Sequence, residues 1–94
     1  MKIWKRSSMP EICRFYGIVI KMFYDEHNPP HFHAEYGEFK AVIRIKDFTV
    51  TKGYLPPKAI GLVMEWAALH QNELLKEWEL ARNNKNLFKI EPLK

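Results

Sequence analysis

The sixteen residues HFHAEYGEFKAVIRIK, starting at His31, restrict the fold more than any other part of the chain. Gly37-Glu38 suits a two-residue type II′ turn with glycine at its first central position, and such a turn sets the register of the strands on either side. Tyr36 then faces Phe39, Glu35 faces Lys40, Ala34 faces Ala41, His33 faces Val42, Phe32 faces Ile43 and His31 faces Arg44. Side chains alternate across a strand, so Phe32, Ala34, Tyr36, Phe39, Ala41 and Ile43 share one face, and His31, His33, Glu35, Lys40, Val42 and Arg44 share the other. A slip of one residue would drive the histidines into the core, so the hydrophobic pattern and the turn specify the same hairpin.

The flanking segments extend it. Residues 14–25, RFYGIVIKMFYD, are rich in β-branched and aromatic types and read as one strand. In that reading Tyr16, Ile18, Ile20, Met22 and Tyr24 face the core, while Phe15, Val19, Lys21 and Phe23 join the histidines. HNPP breaks the strand, because Pro29 and Pro30 cannot donate ladder hydrogen bonds. A second tight turn at Lys46-Asp47 leads into FTVTK, with Phe48 and Val50 on the apolar side and Thr49 and Thr51 on the polar side.

After Pro56-Pro57 the chain is helical in composition and period to about residue 84, and Pro57 suits a first helical turn. Ile60, Val63, Met64, Ala67, Gln71, Leu74, Leu75, Trp78 and Ala81 form a stripe fit to cover the sheet. Leu62, Trp66 and Leu69 form a second apolar stripe about 100° away. A helix apolar on both sides is normally buried on both. Either it bends near HQNE, with Asn72 capping a second helix, or Leu62, Trp66 and Leu69 dock a protein partner or a second copy of the chain. The tail NLFKIEPLK offers a short edge strand before Pro92.

The expected architecture is therefore α+β: an antiparallel meander of three to four strands with one long helix, straight or bent, on one face. At 94 residues, 47% of them hydrophobic, this is one globular domain. Residues 1–8 form a basic tail outside a single domain of residues 9–94. The tail's Lys2, Lys5 and Arg6 supply most of the formal net charge of +4, so the rest of the chain has no general polyanion-binding balance. No apolar run approaches the roughly 20 residues that span a bilayer, and Cys13 has no partner cysteine. A cytoplasmic, reduced setting without membrane contact is the expectation.

Function is expected on the sheet face away from the helix, which suits three chemistries. The first is acid–base work on RNA: His31 and His33 move protons, Lys21, Lys40 and Arg44 hold phosphates, and Phe15 and Phe23 stack on bases. A metal-independent ribonuclease with His31, His33 and Arg44 as catalytic residues would follow, needing no cofactor. The second is a divalent transition metal held by His31 and His33, which project to the same side, with Glu35, Asp25 or His27 as third ligand. Arg44 opposite His31 counts against a dication. In the third, the face is a solvated or protein-binding surface and the histidines only bond the turn backbone. Glu73, Glu77 and Glu79, with Lys76 and Arg82, read as a solvated helix face.

The stretches MPEICRFYGIVIKMFYDEHNPPHFHAEYGEFKAVIRI, LPPKAIGLVMEWAALHQNELLKEWELA and IEPL together resemble a bacterial family, domain of unknown function 4160, from Met9 to about Leu93. The resemblance implies a small prokaryotic protein encoded beside another short protein, an arrangement similar to toxin-antitoxin operons. It carries over no catalytic residue. The expected function is a component of a toxin-antitoxin-like module acting through the open face on RNA or a cognate protein. The alternative is a non-catalytic metal-binding or protein-interaction module.

Overall fold

A computed structural model of the chain describes residues 10–94; the basic segment of residues 1–8 and Met9 lie outside the described residues. The described residues form five strands and two helices: β1 (Glu11–Phe15), β2 (Ile18–Lys21), β3 (His31–Tyr36), β4 (Phe39–Arg44), β5 (Val50–Gly53), α1 (Pro57–Leu69) and α2 (Gln71–Arg82). The sheet is an antiparallel meander in the order β1-β2-β3-β4-β5.

The central hairpin has the register that its turn and pattern require, from Tyr36 opposite Phe39 to His31 opposite Arg44. Gly37 takes φ +59°, as the first central position of a type II′ turn demands. Phe32, Ala34, Ala41 and Ile43 are fully or nearly fully buried, whereas Tyr36 and Phe39, at the turn end, stay partly exposed.

The expected single strand over residues 14–25 is two strands. Tyr16 (φ +48°) and Gly17 (φ +82°) form a tight turn with both central residues left-handed, so Phe15 pairs with Ile18. Residues paired across such a turn share a face. Phe15 therefore points into the core beside Ile18 and is 5% exposed, which takes it off the open face. β2 ends at Lys21, and the chain to Pro30 is loop.

The single long helix is likewise two. At His70 (φ −124°, ψ +25°) the backbone leaves helical geometry and restarts as α2, so the helix bends at the HQNE stretch. Asn72 is exposed and lies inside α2; His70 holds the junction, its ring bonded to the Glu73 carboxylate and packed on Trp66. The break rotates each helix independently onto the sheet. α1 buries Ala59, Val63, Trp66 and Ala67, and α2 buries Leu74, Glu77, Trp78 and Ala81. Trp66 sits in the middle of the core, its ring centroid 5.5 Å from Phe15 and 6.0 Å from Phe32. Gln71, at the start of α2, ties this helix to the sheet by donating to the carbonyls of Ile45 and Lys46.

The tail adds no strand. It is a strap across the elements, held by Tyr24 Oη donating to the Lys85 carbonyl, Phe88 N to the Glu77 carboxylate, Ile90 N to the Ile12 carbonyl, and Trp66 Nε1 to the Glu91 carbonyl. No helix among the described residues is long and apolar enough to cross a membrane.

Candidate metal centre

The histidines gather at the start of β3, where the loop from β2 folds back over the strand. Pro29 and Pro30 end this loop, with the Asn28–Pro29 peptide cis, and the Pro30 carbonyl accepts from Ile45 N, just past β4. The return brings Glu26 against both imidazoles. Its Oε1 lies 2.6 Å from His31 Nε2 and 3.3 Å from His33 Nε2.

The rings are held from several sides. His33 stacks on Phe23 with centroids 4.0 Å apart and planes at 8°. His31 meets His33 edge-on at 5.4 Å and reaches Trp78 of α2 at 4.9 Å, so this corner joins the open face to the core. His31 Nδ1 lies 2.8 Å from the Pro29 carbonyl oxygen. A carbonyl only accepts, so Nδ1 carries the hydrogen, and a neutral ring then presents its Nε2 lone pair to a carboxylate oxygen. At 2.6 Å the two atoms share a hydrogen, a direct hydrogen bond; a metal ion in its place would have to push them apart.

Burial pushes the His33 imidazole below its ordinary pKa, and the Glu26 carboxylate only partly offsets this. Partial burial acts to raise the Glu26 carboxyl, but hydrogen bonds from His31 and His33 outweigh it and hold Glu26 below its usual value. A carboxylate and an imidazole that resists protonation are in the states a metal ligand needs.

Glu26, His31 and His33 can each present one ligand atom, all within 4.8 Å of one another. That spacing suits one ion with bonds of ~2.0–2.2 Å, after the short Glu26–His31 contact opens. Two imidazoles and one carboxylate are a donor set for zinc or another first-row transition metal. The Pro29 carbonyl on His31 Nδ1 is the kind of outer contact that fixes a ligating histidine's tautomer.

Several residues expected on this face are otherwise engaged. Glu35, the expected third ligand, forms an ion pair with Lys21 at 3.1 Å, which also occupies that phosphate-binding candidate. Asp25 and His27 are exposed, and His27 lines the groove without joining the cluster. Arg44 makes a two-pronged contact with Asp47 at 3.0 and 2.9 Å, and its guanidinium holds the Asp47 carboxyl well below the usual carboxylate range. Its charge is thus balanced locally, and the objection that Arg44 would repel a dication loses its force. Lys40 is exposed and has no carboxylate within ion-pairing distance among the described residues.

The expected docking stripe is not one patch. Leu69 is 67% exposed, Leu62 lines a shallow groove with Tyr16, Tyr36 and Leu93, and Trp66 is fully buried. Glu77, read as part of a solvated face, is completely buried, and burial pushes its carboxyl up to about 7 despite the Phe88 N–H that favours the charged form.

Glu26 is the member of the cluster that strand pairing does not reveal. Periodicity relates residues within a strand, whereas Glu26 arrives by a loop whose path depends on two prolines. The available signal was its place five residues before His31, just ahead of the rigid turn.

The groove beside the cluster has a volume of about 570 Å³ and is lined by Glu26, His27, Asn28, His31, His33, Val42, Arg44, Thr51 and Lys52, among others. No curated protein and no solved structure matches the chain significantly. The family described as Domain of unknown function (DUF4160) matches residues 17–79, which include both hairpins that build the site and most of the two helices. The chain belongs to the DUF4160 family.

Proposed function

We propose that this domain binds a divalent transition-metal ion through Glu26, His31 and His33, at the start of β3 beside the open groove. The observation that carries this is the convergence of His31 Nε2 and His33 Nε2 on one Glu26 oxygen while Pro29 holds the far side of His31. The reading ranks ahead of RNA binding and cleavage through the same face, and ahead of a toxin-antitoxin role built on it. Two of the three phosphate-binding cations are paired, Lys21 with Glu35 and Arg44 with Asp47, and one of the two stacking rings, Phe15, is in the core.

Elemental analysis of protein purified without a histidine tag tests it. About one equivalent of zinc, nickel, cobalt or copper per chain is expected, retained after dialysis and lost in His31→Ala, His33→Ala and Glu26→Ala. Sub-stoichiometric metal in the wild-type protein, with no uptake on titration, would overturn the reading.

A further inference from the structure

β5 contains a bulge that changes which side chain faces the histidines. Val50 pairs with Ile43, but the next pairs are Lys52 with Val42 and Gly53 with Ala41, which leaves Thr51 as the extra residue. Without the bulge, Thr51 would oppose Val42; with it, Lys52 does. Residues paired across adjacent strands share a face, so His33, Val42 and Lys52 form one row across three strands. Lys52 lies two strands from His33, about 10 Å between backbones, a gap its four-carbon stem closes in part.

The bulge is locked in place. Gly53 takes φ +78°, and a Cβ there would lie 2.1 Å from the Lys40 carbonyl oxygen, so no larger residue sustains this path. Bulges that re-aim a side chain beside a site are a recurring device. Lys52 is exposed, lines the grooves on both sides of the His33–Val42 row, and has no carboxylate partner among the described residues. Among the described residues that line this groove it is the cation without a carboxylate partner, since Arg44 there is held by Asp47.

We infer that the metal site takes an oxyanion of the phosphate class as an exogenous ligand, one oxygen on the ion and another on the Lys52 ammonium. This rests on the metal reading above. Three protein donors leave a tetrahedral ion one position open, and the groove supplies the space. Glu26 cancels only one of the two charges of a divalent ion, so the loaded site with Lys52 keeps an excess of positive charge that an anion neutralises.

The full chain loaded with Co²⁺ and titrated with inorganic phosphate tests this, with the visible absorption of the ion as readout. Phosphate should shift the cobalt spectrum saturably. Lys52→Met should weaken phosphate binding about tenfold, the loss expected for one charge-assisted hydrogen bond, while leaving Co²⁺ affinity unchanged. Lys52→Arg should retain most of the phosphate affinity, and Lys40→Met should behave as wild type. A cobalt spectrum indifferent to phosphate, or equal phosphate affinity in Lys52→Met and wild type, overturns this inference and leaves the metal reading standing. Failure of the wild-type chain to bind Co²⁺, or binding undiminished in His33→Ala, overturns both.

Discussion

Glu77 is a carboxyl group with no solvent contact, one hydrogen-bond donor and, among the described residues, no cation paired with it. Its Oε1 accepts from Phe88 N at 3.0 Å, its Oε2 has no partner, and Glu73 one turn earlier adds repulsion. Removing an ionised carboxylate from water without compensation is costly, so the group keeps its proton, and its pKa rises from 4.5 to about 7. The sign of the linkage follows. Between those values the folded chain holds a proton that the unfolded chain has released, so this group's contribution to stability declines as pH rises through the window and is constant outside it. At about 1.4 kcal/mol per pH unit, the decline amounts to roughly 3 kcal/mol between pH 4.5 and 7. Glu77→Gln keeps the oxygen that Phe88 N needs and cannot ionise. It should therefore match wild type near pH 4.5 and exceed it by roughly 3 kcal/mol at pH 8, a large share of a small domain's stability. Urea unfolding of both proteins across pH 4.5–8, followed by far-ultraviolet circular dichroism, measures this directly. Parallel pH profiles would show that Glu77 ionises freely in the folded chain and would refute the argument.

Other substitutions probe the remaining features. Trp66→Ala removes a ring packed on Phe15 and Phe32 and the bond to the Glu91 carbonyl, and should cost about 3–5 kcal/mol, against at most about 0.5 kcal/mol for exposed Leu69→Ala. Equal small effects in denaturant titrations would return Trp66 to a surface role. Gly53→Ala meets both a left-handed backbone and the Lys40 carbonyl, so a destabilisation of about 2 kcal/mol or more is expected from thermal unfolding, and a neutral result would mean that the bulge is absent. Zinc at 100 times its dissociation constant should stabilise the wild-type chain by about 2.7 kcal/mol in the same assay. His33→Ala should abolish that gain, and an equal gain in the variant would place the ion elsewhere.

The central hairpin was legible because two independent signals, the Gly37-Glu38 turn and the alternation of apolar and polar residues, require the same register. Where only one signal was present the reading slipped. Tyr16-Gly17 sits inside an unbroken apolar run, so the turn there was hidden, and with it the inward placement of Phe15. The helix period was clear, yet it carried two stripes, and only the fold shows that Trp66 of the second stripe lies in the core while Leu69 stays exposed. In the site, His31 and His33 share a face through strand alternation. Glu26 and Lys52 do not follow from any period, because one comes from a loop and the other from a bulge that shifts β5 by one residue.

The amino-acid sequence by itself determined the α+β class, the pairing across Gly37-Glu38, and the presence of two histidines on one side of one strand. These follow from local rules of turn geometry and side-chain alternation, which act within a few residues. Tertiary structure alone decided that Glu26 joins His31 and His33 in one cluster able to hold an ion, that Glu35 and Asp47 pair with Lys21 and Arg44, two of the three cations expected to bind phosphate, and that Glu77 is buried. Each of these depends on how loops and helices return to the sheet, and so on distances between segments that no sequence period encodes.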